Sequence, residues 1–449
     1  MTPQMTPEQP EQSAAPSGRR RRPRLVHVST SRVLGGVTEV VRGELPYFER
    51  SGWATEWVAA EARGDRARDA GLLLHNALYQ APGGGFSAAR ARSGIAEYVA
   101  ANAPLRDLVR GADVVVLHDP LCLTLAPELR PLAGRIVWRC HIGSERSGLI
   151  DRAALDLMRP YLDHVDRIVF SLDELVWPGL AGDERLLTVP PGIDPESPKN
   201  RDIEPAVRAA IWRRLSAGET AEPPVGRDGA DAGAGQIAID DGGTGRLAGP
   251  RAPFVLQVSR WDPLKGQLGV LRGFAELARR EPEIELLIVG PYIDEARNYP
   301  INRRVWTDLL EARARLDAPI RRRTHIWRFA RIDRMAEDVA LNVLRHQART
   351  VVQNSRRESF GLTVAEAMWR GAVVVGSAVE GIRRQIEHDV NGLLTPYTEG
   401  DATWAGAVRR SLWDDGDRAR WSAAARRTIG ERFLVGRAVD LQSAAFLAA

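Results

Sequence analysis

Apolar residues fall along this chain in short unbroken runs, separated by longer stretches in which they recur every three or four positions. Short continuous runs read as strands buried on both faces of a parallel sheet, and the wider spacing reads as helix. The first run, residues 24–29 (Arg-Leu-Val-His-Val-Ser), leads through Gly35-Gly36-Val37 into a helical pattern from Thr38 to Arg50. A strand, a glycine turn and a helix in that order open a doubly wound α/β domain. Further strands are predicted at 54–60, 113–118, 135–139 and 167–171, with helical stretches between them, notably 87–110.

The rhythm stops over residues 216–250, which are rich in Gly, Ala, Asp and Pro. That composition predicts a flexible insertion near a domain junction. The rhythm restarts with a strand at 254–259, a helix near 266–280 and a strand at 284–289. A strand at 349–353, a helix near 361–370 and a strand at 372–376 come next. The pattern therefore predicts two α/β units facing a cleft, 24–200 and 251–430, with a terminal helix over 431–449. Residues 1–23 run through Pro, Gln, Glu and Ser to the basic run Arg19–Arg22 with no apolar core. They read as a disordered tail, not a secretory signal.

Composition narrows the function classes. A chain of 449 residues exceeds what one hydrophobic core usually organises, which agrees with two domains. No apolar run reaches the roughly 18 residues of a membrane-spanning helix. Cys122 and Cys140 are too few for a disulfide framework and lack metal-ligand spacing, so a reducing cytoplasm is expected. The net charge is +4, but acids and bases are interleaved throughout, as on a solvated surface and not in a nucleic-acid stripe. Nearly all the positive charge is arginine. The only lysines are Lys199 and Lys265, and a lysine at 265 invites a chemical reading.

Four places carry candidate chemistry. Ser259-Arg260-Trp261-Asp262-Pro263-Leu264-Lys265-Gly266 comes directly after a predicted strand and precedes a helix. Two cations at a strand's C-terminal end, beside a helix N-terminus, suit a diphosphate leaving group; the plain alternative is a charged surface loop. In Glu358-Ser359-Phe360-Gly361-Leu362-Thr363-Val364-Ala365-Glu366, one glutamate sits before a helix and the other about two turns in. Both would face one elongated ligand, with the amides of Phe360, Gly361 and Leu362 at the helix entrance. The alternative is a helix-entry glutamate plus an unrelated one on a solvated face. Gly35 and Gly36 allow close approach of a ligand to the backbone, or serve the turn sterically. His118-Asp119 and Arg139-Cys140-His141 close two strands of the first half, where a histidine binds a hydroxyl, moves a proton or simply supports the fold. Motifs of nucleotide kinases, lipases and zinc proteases do not occur.

Together, Ser259-Arg260-x4-Lys265-Gly266 and Glu358-x7-Glu366, in that order and about a hundred residues apart, resemble the GT4 family of retaining glycosyltransferases. Within it the chain is similar to the trehalose synthases and their trehalose phosphorylase relatives. The supporting stretches are His75-Asn76-Ala77-Leu78, His118-Asp119-Pro120, Trp138-Arg139-Cys140-His141-Ile142 and Pro190-Pro191-Gly192-Ile193-Asp194-Pro195. The resemblance implies a GT-B fold of two Rossmann-like domains. It also implies transfer of a hexose, with glucose first, from UDP-, ADP- or GDP-glucose, without a metal or other cofactor. The acceptor would be glucose, giving trehalose, or a specialised metabolite. A phosphorylase or a non-catalytic nucleotide-sugar-binding protein are the alternatives.

By the same resemblance, Arg260 and Lys265 bind the diphosphate, Glu358 the donor-sugar hydroxyls and Glu366 the ribose. His141 lies near the reacting centre, and Gly35, Gly36, Ser259, Phe360, Gly361 and Leu362 line the donor. His118, Asp119 and Arg139 are expected on the acceptor. The partners are then a sugar donor and a small acceptor, with no nucleic acid and no membrane span, and a homodimer stays open. The chain departs from the trehalose-forming pattern at Gly143, where relatives carry an acid. It departs again at Ser359 and at Glu380, each in place of glycine.

Overall fold

Six parallel strands come from the first half: β1 (Arg24–Ser29), β2 (Ala54–Ala59), β3 (Val114–His118), β4 (Arg135–Cys140), β5 (Arg167–Phe170) and β6 (Leu186–Thr188). They lie in the order β2-β1-β3-β4-β5-β6. The second half supplies β7 (Ile239–Asp240), β8 (Phe254–Val258), β9 (Glu285–Gly290), β10 (Thr324–Phe329), β11 (Thr350–Gln353), β12 (Val374–Ser377) and β13 (Leu393–Thr395). These lie in the order β13-β12-β11-β8-β9-β10-β7, all parallel except β7, which runs antiparallel to β10 at the edge. This is a computed structural model, describing residues 21–32, 35–80, 85–145, 147–221, 236–293, 300–331, 333–400 and 402–447. Residues 1–20 of the expected tail lie outside that set.

Both sheets grow outward in two directions from a first strand, so the order reverses between β1 and β3 and again between β8 and β11. At such a switch point the succeeding helices leave toward opposite faces and a crevice opens beyond the C-terminal strand ends. The strands forming these centres are buried along almost their whole length, which is why they read as unbroken apolar runs.

The structure departs from the predicted elements where tertiary contacts outweigh local pattern. The helical stretch expected over 87–110 is two helices, Ala88–Ala101 and Leu105–Val109, parted by a turn that ends at Pro104. Strand β10 reads Thr-His-Ile-Trp-Arg-Phe, yet His325 is buried because its Nε2 meets Glu285 Oε2 at 2.7 Å. The insertion expected to be flexible over 216–250 is packed over 236–250, and residues 222–235 lie outside the described set. There Thr244 Oγ1 accepts a hydrogen bond from the Ile326 amide at 2.9 Å, and the Gly245 carbonyl accepts one from Trp327 Nε1 at 3.0 Å. Ile237 and Leu247 are buried.

The terminal helix runs Val435–Leu447 and returns to the first sheet, where Val435, Ala438, Val439 and Phe446 pack with Leu25, Phe48, Val114 and Val116. The return is tight at Gly192, where a Cβ would lie 2.4 Å from the Leu434 carbonyl carbon. Beneath the helix, Arg139 Nη1 donates to Glu44 Oε2 at 2.6 Å and to Gln442 Oε1 at 2.9 Å, and Gln442 Nε2 donates to Glu44 Oε1 at 3.1 Å. This corrects the expectation that Arg139 binds the acceptor. Strand alternation puts residue 139 on the same side as Val137, under the helices, and its side chain is fully buried.

Removal of Glu44 would leave the Arg139 guanidinium buried with much of its charge uncompensated. We expect Glu44→Ala to lower stability by about 3–5 kcal/mol. Replacing the ion pair with apolar residues, Glu44→Leu with Arg139→Met, should recover most of that loss. Denaturant unfolding of the single and double variants checks both statements.

Candidate active site

The crevice of the second sheet is built by the loops at the C-terminal ends of β8 and β11, neighbours at its switch point. After β8, Asp262 caps a short turn over Pro263–Lys265 by accepting the Leu264 amide on Oδ1 at 2.9 Å. Gln257 Nε2 donates to the Lys265 carbonyl at 2.8 Å and pins the turn to its strand. Gly266 has φ +64°, and a Cβ there would lie 2.0 Å from the Asn354 carbonyl oxygen. Only glycine lets the helix Gln267–Ala278 start that close to the end of β11. Lys265 Nζ consequently reaches Glu358 Oε2 at 2.5 Å, and Ser355 Oγ donates to the same oxygen at 3.1 Å.

Ser259 and Arg260 are tied into this turn. Gln267 Nε2 donates to Ser259 Oγ at 2.9 Å and to the Arg260 carbonyl at 2.6 Å. The Arg260 side chain stays 61% exposed, with Asp262 Oδ2 3.6 Å away. Its charge acts on His75 of the first half: burial and then the Arg260 charge lower the His75 pKa, with Asp262 opposing. His75 ends a helix that continues as a π-turn over Asn76–Gln80, a local widening common at functional sites.

Beyond β11, Gly361 has φ +87° and opens the helix Leu362–Trp369. Phe360 is buried against Phe433, and Gln385 Nε2 donates to the Phe360 carbonyl at 2.5 Å. Glu366 does not point along this helix toward Glu358. Its Oε2 accepts from Arg345, and its Oε1 lies 3.6 Å from Lys199 Nζ. Lys199 also donates to Glu39 Oε2 at 2.9 Å and sits 3.3 Å from Asp338 Oδ1. Burial works against the Lys199 charge, but Glu366, Asp338 and Glu39 together raise its pKa above the ordinary lysine value. Burial also opposes the Glu39 charge, yet Lys199 and Arg334 hold its carboxyl down at about 2. Each of the chain's two lysines thus faces one glutamate of the Glu358-x7-Glu366 pair.

From the first sheet, Gly35 takes φ +122° at the start of the helix Gly36–Arg50, and a Cβ on Gly35 or Gly36 would meet nothing within 4 Å. The backbone there is open to close approach. His141 lies just past β4, 8% exposed, with Nε2 3.1 Å from His118 Nδ1 and Nδ1 3.4 Å from Ser171 Oγ. His118 is 1% exposed between His141 and His27, so the expectation that it contacts the acceptor is corrected: both its ring nitrogens are spent inside the sheet. Asp119, at φ +65°, accepts the His141 amide on Oδ1 at 3.1 Å and so positions that residue's backbone. Burial raises its carboxyl to about 6, against the pull of the His141 amide and Arg139.

Three contributors escaped the sequence reading. Arg357 donates across to the first half, to the Tyr79 carbonyl and to the Gly143 carbonyl at 2.8 Å, while its Nε lies 3.2 Å from Glu380 Oε1. Its guanidinium also covers the Tyr79 ring at 4.8 Å. Arg345, inside the helix Arg334–Gln347, carries no local signal of its partnership with Glu366. Lys199 could have been found, because its rarity in the composition already marked it.

Residues 27–177 match the family described as "Trehalose synthase, N-terminal domain", and residues 330–428 match "Glycosyl transferases group 1". The trehalose synthase of Rubrobacter xylanophilus is 29% identical over 398 residues, covering 87% of this chain and 82% of that one. The solved structure of the trehalose-6-phosphate synthase OtsA superposes with a TM-score of 0.68 at 15% identity, over 95% of this chain and 99% of that chain. The Anabaena protein HepE, solved with UDP and glucose, superposes with a TM-score of 0.62 at 16% identity, over 94% and 98% of the two chains. Likeness to a curated relative along more than four-fifths of both chains goes together here with the GT-B architecture of paired Rossmann-like units. Together these likenesses support a GT4-type glycosyltransferase close to the trehalose synthases.

Proposed function

We propose that this chain transfers glucose from a nucleotide-diphosphate glucose to a small acceptor with retention, and that free glucose is the acceptor, giving trehalose. The observation that carries this reading is the Lys265–Glu358 pair at the switch point, with Arg260 exposed beside it. A bound diphosphate offers Lys265 a stronger partner than Glu358. Once the ammonium turns to phosphate, the carboxylate is released to accept donor-sugar hydroxyls. Arg260 adds a second cation against the charge that develops as the diphosphate leaves. Glu366 takes the ribose after yielding Lys199, with Arg345 keeping its orientation. Ser259, Phe360, Gly361 and Leu362 form the donor wall, and the open backbone at Gly35–Gly36 approaches the sugar phosphate from the other side.

In this reading the acceptor oxygen attacks the anomeric carbon on the face from which the diphosphate departs. The C–O bond to the diphosphate breaks as the new C–O bond forms, through an oxocarbenium-like state. A leaving phosphate oxygen takes the acceptor's proton. No pair of carboxylates must flank the anomeric carbon, as glycosidases require; positioning and fixed charge supply the rate. The names of the relatives and the UDP and glucose held by HepE support donor and acceptor of this class. Among the described residues no helix is long and apolar enough to cross a membrane, and both cysteines are free and buried, which supports a cytoplasmic setting.

The test is to incubate purified protein with UDP-, ADP- or GDP-glucose and with glucose, other sugars or phosphate. Nucleotide release is monitored, and products are identified by mass and NMR. The expected product from glucose is an α,α-linked disaccharide. Donor hydrolysis without transfer would reject glucose as acceptor, and formation of glucose 1-phosphate from trehalose and phosphate would favour the phosphorylase reading. Binding of donor with no turnover would leave a nucleotide-sugar-binding protein.

We further expect Lys265→Ala and Glu358→Gln each to cut transfer at least ~100-fold, with circular dichroism unchanged. Wild-type rates in either folded variant would remove these two residues from the donor site.

A further inference from the structure

Three histidines form a continuous hydrogen-bonded line across the first sheet. His27 Nδ1 lies 3.0 Å from His118 Nε2, and His118 Nδ1 lies 3.1 Å from His141 Nε2. His141 Nδ1 then lies 3.4 Å from Ser171 Oγ. The ring planes of successive pairs differ by 28° and 9°, so the nitrogens meet edge to edge. Parallel register explains the line. His27 sits opposite Val116, two positions before His118, and His118 sits opposite Arg139, two positions before His141. Each step therefore moves diagonally, on one face of the sheet, toward the C-terminal strand ends and the cleft.

Such a line admits only concerted arrangements of protons. Burial, helped by the positive charge of Arg139 and, for His118, first by the two neighbouring rings, pushes His27 down to about 3 and the other two well below the usual histidine value, which favours the neutral form of each. Among the charged or titratable groups around them, Arg139 is paired to Glu44 and Asp119 holds the His141 amide. A neutral imidazole carries one N–H and one bare nitrogen. Each N···N contact holds one proton, so the tautomer of one ring dictates the next.

The outer end decides which arrangement is adopted. His27 Nε2 is sealed from solvent and has no hydrogen-bond partner among the described residues. With the His27 proton on Nε2, a buried N–H would have no acceptor, whereas with the proton on Nδ1 that N–H is paired and only a lone pair is left without a partner. With the proton on Nδ1, His27 donates to His118 Nε2, His118 Nδ1 donates to His141 Nε2, and His141 carries its proton on Nδ1. That N–H points to the long Ser171 contact, the weakest link in the line and the one a ligand oxygen can replace.

We propose that His27 and His118 are positioning residues that lock His141 as an Nδ1–H donor toward the bound sugar, so that His141 binds a sugar oxygen and does not serve as a proton-accepting base. The tautomer part stands on the sheet alone; only the placement of His141 at the sugar rests on the transferase reading above.

The experiment uses full-length protein labelled with 15N-histidine, in which long-range 1H–15N spectra distinguish Nδ1–H from Nε2–H rings. We expect Nδ1–H signatures for His27, His118 and His141, assigned by single replacements; an Nε2–H signature at His141 would overturn the proposal. Kinetics test the positioning role. His27→Leu removes the donor at the head of the line and should lower kcat roughly tenfold or more through misorientation, with little change in donor KM. His27→Asn offers an amide N–H near the position of Nδ1–H and should restore both kcat and the His141 signature. A folded His27→Leu variant with wild-type kcat would overturn the positioning role. Failure of the wild type to turn over any donor would count against the transferase reading, while the spectra still decide the tautomer.

Discussion

The contact between Lys265 and Glu358 is the interaction around which the second sheet's crevice is organised. It exists because β8 and β11, distant in sequence, are neighbours in a parallel sheet and end at the same edge. The surrounding architecture serves that meeting: Gln257 pins the Lys265 turn, Gly266 allows contact with the Asn354 backbone, and the Gly381 amide donates to the Glu358 carbonyl at 2.9 Å. The pair is largely shielded from water, with 15% and 10% of the two side chains exposed. A shielded ion pair is a weak source of stability, since desolvation offsets much of the Coulomb gain. Its value is better understood as readiness: a cation and a carboxylate held at one point, each able to exchange its partner for part of a charged, hydroxylated ligand.

A second lysine repeats the device across the molecule. Lys199 lies on the segment after β6 and reaches Glu366 and Asp338 of the second half together with Glu39 of the first. Arg357 ties the halves in the opposite direction, from the second sheet's loop to carbonyls at Tyr79 and Gly143. The charges of the cleft are thus partnered within the protein. On the proposed function, donor binding in such a site would be an exchange of ionic partners, with affinity set by how well the ligand's phosphates and hydroxyls replace the internal carboxylates and cations.

The departures from the trehalose-forming pattern fall at this same junction. Gly143 offers its carbonyl to Arg357, and a Cβ there would lie 1.9 Å from the Leu175 carbonyl oxygen. The backbone as it stands therefore leaves no room for an acidic side chain at 143. Glu380 places a carboxylate 3.2 Å from Arg357 Nε. The positive charge of Arg357 therefore has an acidic neighbour in Glu380.

Much of the fold was legible locally. The runs at 24–29, 113–118 and 254–259 became the central strands because a parallel strand covered on both faces must be apolar throughout. Such a run needs no knowledge of its neighbours to be recognised. The short strands β6 and β13, the polar-looking β10 and the packed segment 236–250 were not legible. Their polar groups are satisfied by partners far away in sequence, such as His325 with Glu285 and Thr244 with Ile326.

The same division holds for the site. The amino-acid order alone determined that Arg260, Lys265, Glu358 and Glu366 come after strands or enter helices, because glycines, caps and apolar periods act over a few residues. Tertiary structure decided where their charges go. It turned Glu366 toward Arg345 and Lys199, spent His118 inside a line of imidazoles, and buried Arg139 under two helices. Those outcomes depend on which strands become neighbours and on which face a residue stands relative to a helix elsewhere in the chain. Such relations are set by the packing of the whole core, and no short stretch of sequence carries them.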